Sequence, residues 1–149
     1  MSQRPDFFDF EHGPEHPPAS GLQFSKSEFE HRVSILRNRL EHHNLDAIVF
    51  TSMHCIAYYS GFLYCAFGRP YGCVITKDKV VTVSANIDAG QPGRRGAFEN
   101  LVYTDWQRDN YWRAVKSVAG NAKRIGVEGD HLTLNQQQKL TGFSRCRIP

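Results

Sequence analysis

No run of apolar residues in this chain approaches the length of a membrane span, and the opening Met1-Ser2-Gln3-Arg4-Pro5-Asp6 has no apolar core of the secretory kind. A membrane partner is therefore not expected, and a reducing cytoplasm is the simplest location. Cysteine is sparse: four residues, at 55, 65, 73 and 146, with no Cys-x-x-Cys pair. That spacing supports neither a zinc knuckle nor a compact disulfide framework. Cys55, Cys65 and Cys73 lie in apolar surroundings, where free thiols serve as small core residues. No His-Glu-x-x-His, acidic calcium loop, paired-carboxylate motif or Gly-x-Ser-x-Gly elbow is present. The glycines around Gly90 lack the Lys-Ser/Thr ending of a phosphate-binding loop. Charge of one sign is lacking too, since 18 basic residues face 15 acidic ones for a net +3. The dense basic spots, Arg94-Arg95, Lys123-Arg124 and Arg145 to Arg147, are short surface pairs, so nucleic acid is not an expected partner.

Histidines carry no metal signature. His12 and His16 are four apart, but Pro14, Pro17 and Pro18 oppose a regular helix there. His42 and His43 are adjacent, and His31, His54 and His131 are isolated in sequence. A catalytic metal normally needs three convergent protein ligands, so neither a metal nor another cofactor is expected.

What is present is a chain long enough for one buried core, 40% hydrophobic and 22% charged. Residues 1–23 hold four of the seven prolines and little periodicity, and read as an extended arm. Ser25 and Glu28 make a capping box, with Phe24 and Phe29 as its hydrophobic staple. Phe29, Val33, Leu36 and Leu40 then form a helical stripe that stops near Asn44. Leu45 to Phe50 reads as a buried strand, and Thr51-Ser52 opens a short helix that Gly61 closes. The runs Tyr71 to Thr76 and Val80 to Ala85 flank Lys77-Asp78-Lys79, a hairpin signal. Ile87 to Gly96, with Gly90, Pro92, Gly93 and Gly96, reads as a loop. Leu101 to Thr104 is a strand. Asp109 caps a helix with Tyr111, Val115, Val118 and Ala119 inward, the neighbouring aromatics fill the interface beneath it, and Gly120 ends it. Arg124 to Glu128 is a further strand, and Leu134 to Leu140 is helical. Alternating strands and helices with one hairpin predict an α/β fold, a mixed sheet with helices on its faces.

One turn carries chemistry. In Phe62-Leu63-Tyr64-Cys65-Ala66-Phe67-Gly68-Arg69-Pro70-Tyr71 an arginine stands between a permissive glycine and a φ-locking proline, with aromatic rings on both sides. A guanidinium fork on such a bend can grip a carboxylate through two parallel hydrogen bonds. A neighbouring ring can cover a cationic group of the same ligand. The pattern fits recognition of a small molecule bearing both charges, although a plain surface turn would read the same.

Several stretches resemble the amino-terminal domain of the creatinases, creatine amidinohydrolases within the creatinase/prolidase family. They are Phe50-Thr51-Ser52, Tyr58-Tyr59-Ser60, Phe62 to Cys65, Phe67 to Tyr71, Ser84 to Asp88, Gly90-Gln91-Pro92 and Tyr103 to Tyr111. The likeness runs in register from about Phe24 to Leu140. It implies a three-layer α/β domain over 24–142, a mixed sheet flanked by helices with a ribonuclease H-like motif. It also implies a homodimeric cytoplasmic hydrolase, free of metal, that turns creatine and water into sarcosine and urea. The acid–base histidine and the guanidinium-binding glutamates of such enzymes belong to a following pita-bread domain, which is not expected within this chain. The resemblance assigns Phe67 and Arg69 to substrate binding, reaching into the neighbouring subunit's active site: Arg69 for the creatine carboxylate, Phe67 for the pocket wall. No catalytic residue is assigned here. A dimerisation module without catalysis, and the leading domain of a prolidase-like metallopeptidase, are the alternatives. The chain departs from the family at Cys55 and Ala57, where creatinases carry two asparagines, at Gly61 in place of an aspartate, and at Gly72-Cys73 in place of a bulkier pair. Residues 143–149 read as a divergent tail.

Overall fold

The computed structural model describes residues 11–12, 22–64, 68–88 and 90–142. Phe67, Cys65, Cys146 and the tail 143–149 lie outside these, as does most of the proposed arm. Elements follow the chain as β1 (Glu11–His12), α1 (Lys26–His42), β2 (Ala47–Phe50), α2 (Met53–Ser60), β3 (Gly72–Thr76) and β4 (Val80–Ala85). A 3-10 turn (Asn86–Asp88) leads to α3 (Gly90–Arg95), β5 (Glu99–Tyr103), α4 (Asn110–Ala119), β6 (Ile125–Val127) and α5 (Leu134–Gly142). The sheet order is β1-β5-β4-β3-β2-β6. β2 and β6 run parallel, as do β4 and β5, whereas β3 is antiparallel to both β2 and β4. The two-residue β1 pairs antiparallel with the outer edge of β5. The expected mixed sheet with helices on both faces is what forms.

Strand alternation divides the core into two layers. Ala47, Val49, Val74, Val81, Val83, Leu101, Tyr103 and Ile125 face one side, where Tyr111, Trp112, Ala114 and Val115 of α4 and Leu140 of α5 cover them. Phe50, Cys73 and Ile75 face the other, beneath Val33, Leu36 and Leu40 of α1, Ile56 of α2, Phe62 and Tyr71. Cys73 is fully buried, and burial pushes its thiol up to about 12, so it behaves as an inert core residue. On the α1 side of β4 and β5, Thr82, Ser84 and Asn100 bury polar atoms that bond one another at 2.9–3.2 Å.

Local signals explain most boundaries. Ser25 Oγ accepts the Glu28 N–H at 3.3 Å, and Phe24 meets Phe29 edge-on at 6.2 Å, so cap and staple both form. The Glu28 carboxylate turns instead to Arg32 Nε at 2.9 Å. The Arg32 guanidinium lies 4.4 Å from the ring centres of both Phe24 and Tyr58 and donates to the Tyr58 carbonyl, which ties α1 to α2. Asn44 has φ 54° and Gly61 φ 75°, the left-handed residues after α1 and α2. The hairpin closes as expected, with Thr76 N–H to Lys79 O at 2.9 Å.

Three expectations need correction. Residues 90–95 are helical, not a loop. Pro92 falls in the first turn, where its missing N–H costs nothing, and the Gly96 N–H closes on the Pro92 carbonyl. Asp109 holds the N-cap position but has φ 61° and makes no side-chain cap; its carboxylate pairs with Lys139 Nζ of α5 at 2.7 Å. Trp106 does not fill the interface below α4 but is 85% exposed, and the buried indole is that of Trp112.

Gly72 is required by a close approach, since a Cβ there would lie 2.3 Å from Tyr111 Oη and 2.9 Å from the Phe50 carbonyl oxygen. The Tyr111 hydroxyl is buried and finds no hydrogen-bond partner among the described residues. Gly72→Ala is therefore expected to cost about 1–3 kcal/mol in urea denaturation. Tyr111→Phe removes an unsatisfied group, so it should be neutral or stabilising and should recover part of that loss in the double variant. Strict additivity of the two changes would contradict the contact.

Candidate functional site

Because β3 runs opposite to its neighbours, its amino-terminal end shares one edge of the sheet with the carboxyl ends of β2, β4, β5 and β6. The Gly68-Arg69-Pro70 turn enters β3 at this edge. Around it stand Thr51 and Ser52 after β2, Ile87 after β4, Asp105 and Trp106 after β5, and Glu128 and His131 after β6. Crevices outside strand carboxyl ends are the usual ligand sites of α/β sheets.

The turn is braced from two sides. Tyr103 Oη donates to the Pro70 carbonyl at 2.7 Å. Burial pushes the Tyr103 phenol far above its ordinary range, and the Asp105 carboxylate adds to this, so it remains a protonated donor. On the other side Tyr71 Oη donates to the Tyr64 carbonyl, while Tyr64 Oη donates to Asp88 Oδ1 at 2.7 Å. Phe62, Tyr64 and Tyr71 pack as a trio with ring centres 5.4–5.8 Å apart. Gly68 has φ 108°, a backbone state open mainly to glycine. Arg69 emerges with its side chain 52% exposed, and Nη1 meets Asp105 Oδ1 at 3.0 Å.

Beside the turn is a cleft of about 330 Å³ lined by Thr51, Met53, Arg69, Tyr71, Tyr111, His131 and Gln136, among others. Thr51 Oγ1 and His131 Nδ1 lie 2.8 Å apart on its wall. Beneath that wall the Glu128 carboxylate accepts the Thr51 N–H at 2.6 Å, the Ser52 N–H at 2.8 Å and the Ser52 hydroxyl. Burial alone would raise the Glu128 carboxyl. Hydrogen bonds from Cys55, from the Ser52 hydroxyl and from the two N–H groups outweigh it and hold the pKa below the ordinary value. The Cys55 thiol is pushed up, first by burial and then by this carboxylate.

Of the two residues assigned to substrate, Arg69 thus stands at the strand-end edge, and Phe67 lies outside the described residues. Cys55, Ala57 and Gly61 are not among the residues lining the cleft. Sequence reasoning did not find Asp105 as the partner of Arg69 or Glu128 as the anchor of Thr51-Ser52. Both contacts join residues far apart in the chain and leave no local pattern. Among the described residues no three His, Cys, Asp or Glu side chains gather as a metal site would need, and no helix is long and apolar enough to cross a membrane.

The Creatinase/Prolidase N-terminal domain profile matches residues 32–146, and the chain belongs to that family. It is 51% identical over 121 residues to a creatinase of Bacillus sp. (strain B-0618), a match covering 78% of this chain and 29% of that protein. The chain therefore spans under a third of the length of this relative. Among solved structures, the N-terminal domain of an X-Pro dipeptidase from Streptococcus pyogenes superposes with a TM-score of 0.71 at 22% identity, covering 80% of this chain and 92% of that one. The prolidase of Pyrococcus horikoshii gives 0.64 at 14% identity, covering 79% and 31%. At these identities the two structures speak to the fold alone.

Glu128 ties the end of β6 to the start of α2, which gives a pH-dependent prediction. Its folded pKa is lowered from 4.5, so its contribution is complete above that unfolded value and is lost as pH falls through the folded one. Glu128→Gln is expected to cost about 1 kcal/mol at neutral pH, partial solvation keeping the figure modest. In chemical denaturation the difference should be constant above pH 4.5 and shrink as pH falls below it, through the lowered folded pKa. A difference that does not shrink there would contradict the assignment.

Proposed function

We propose that this domain supplies substrate-binding side chains to a creatinase, the hydrolase that converts creatine and water to sarcosine and urea. Arg69 receives the creatine carboxylate, and Phe67 forms part of the pocket wall. The observation that carries the reading is Arg69 itself: half exposed and anchored on a braced turn, in a chain 51% identical over 121 residues to a creatinase. A planar fork on a rigid bend suits a carboxylate because little side-chain freedom is lost on binding.

In this reading the domain works within a cytoplasmic homodimer, offering Arg69 and Phe67 to the active site of the neighbouring subunit. Free thiols at Cys55 and Cys73 suit a reducing compartment. The side chains on the strand-end edge offer binding rather than bond breaking. The proton shuttle that lets water attack the guanidinium carbon is assigned to a separate catalytic domain. The purified 149-residue chain is accordingly expected to release no urea from creatine, and measurable turnover would overturn that assignment.

A direct test places residues 24–142 into the Bacillus sp. creatinase in exchange for its matching segment. With that chimera active, Arg69→Ala is expected to lower kcat/KM for creatine about 10- to 100-fold, the cost of losing charge-assisted hydrogen bonds. Arg69→Lys should retain only part of the activity, because an ammonium cannot reproduce the fork. An unchanged kcat/KM in Arg69→Ala would leave the domain a scaffold.

A further inference from the structure

We infer that Asp105 is a positioning residue for Arg69, fixing which edge of the guanidinium faces an anionic ligand; the inference rests on the binding role proposed for Arg69. Asp105 Oδ1 forms an ion pair with Arg69 Nη1 at 3.0 Å. A guanidinium has five N–H donors in one plane. With Nη1 engaged by Asp105, the Nε–Nη2 edge remains the natural two-pronged face for a carboxylate.

The carboxylate is itself well placed for this task. Two residues earlier, Tyr103 bonds the carbonyl of Pro70, the residue after Arg69. The end of β5 therefore holds the turn twice, once through its backbone and once through the arginine side chain. Tyr103 is buried and paired in register with Ala85 of β4, so Asp105 is carried on a fixed strand end. Arg69 would otherwise sample many rotamers, its side chain being 52% exposed and that of Asp105 49%.

The arrangement has an electrostatic cost, because a carboxylate beside the arginine also repels an incoming one. Positioning and repulsion predict different orders among variants. Asp105→Asn keeps an oxygen facing Nη1 and removes the charge, whereas Asp105→Ala removes both. If orientation dominates, Ala binds creatine more weakly than the native chain and Asn binds at least as well. If repulsion dominates, Ala and Asn both bind more tightly than the native chain.

The contact is read in the 149-residue chain from the Arg69 Nη1 protons by NMR, and creatine use is read as kcat/KM in the active chimera described above. Asp105→Ala is expected to speed solvent exchange of those protons and to lower kcat/KM for creatine about two- to fivefold, the range for an exposed ion pair. Asp105→Asn should restore both. Unaltered exchange in Asp105→Ala, or an equal or higher kcat/KM for creatine, overturns the positioning role. Faster exchange in Asp105→Ala together with an unchanged kcat/KM for Arg69→Ala in the chimera would instead refute the creatine reading and leave the positioning contact standing.

Discussion

The hydrogen bond from Tyr103 Oη to the Pro70 carbonyl links the two parts of the sheet edge that matter most. Tyr103 is a core residue, packed edge-on against Tyr111 at 5.6 Å, so the bond starts from a fixed point. It ends on the residue after Arg69. Proline sets φ there, and the Tyr71 bond to the Tyr64 carbonyl holds the following residue. The bend therefore draws its shape from both halves of the core: Tyr103 belongs to the layer under α4, and Tyr71 to the layer under α1. Arg69 is therefore carried on a braced bend while its side chain stays half exposed.

Strand direction makes this possible. Were β3 parallel to its neighbours, the turn leading into it would lie at the opposite edge, away from Thr51, Asp105 and His131. The single reversal, set by the Lys77-Asp78-Lys79 hairpin after β3, brings an entering loop among departing ones. Glu128 then closes the same edge from the far side by accepting the N–H groups at the start of α2. Its charge also suits the amino-terminal end of that helix. The cleft wall thus rests on one carboxylate that gathers two backbone N–H groups and a hydroxyl at the start of α2.

Much of this was legible in the sequence where the signal is local. The cap at Ser25, the left-handed stop at Asn44, the hairpin and the glycine after α2 each depend on a few adjacent residues. The Gly68-Arg69-Pro70 bend was legible for the same reason. Local chemistry misled where it was ambiguous. Gly90, Pro92 and Gly93 read as a loop because the same residues fit the first turn of a helix. Asp109 read as a cap because its φ of 61° cannot be deduced from its type. The pairs Arg69–Asp105 and Ser52–Glu128 join different strand ends, so only the sheet order brings them together.

The departures from the creatinase pattern gain meaning from their positions. Gly61 has φ 75°, and a Cβ there would lie 2.9 Å from Leu22 Cδ2 and 3.0 Å from Phe29 Cζ, so its identity answers to the packing of α1 against the end of α2. Cys55 sits in the first turn of α2, where its N–H donates to the Ser52 hydroxyl oxygen at 3.2 Å and its thiol is half-buried near the Glu128 carboxylate. Gly72 makes room for Tyr111. Cys55 and Ala57 lie within α2 and Gly61 at its end, and none of the three is among the residues lining the cleft.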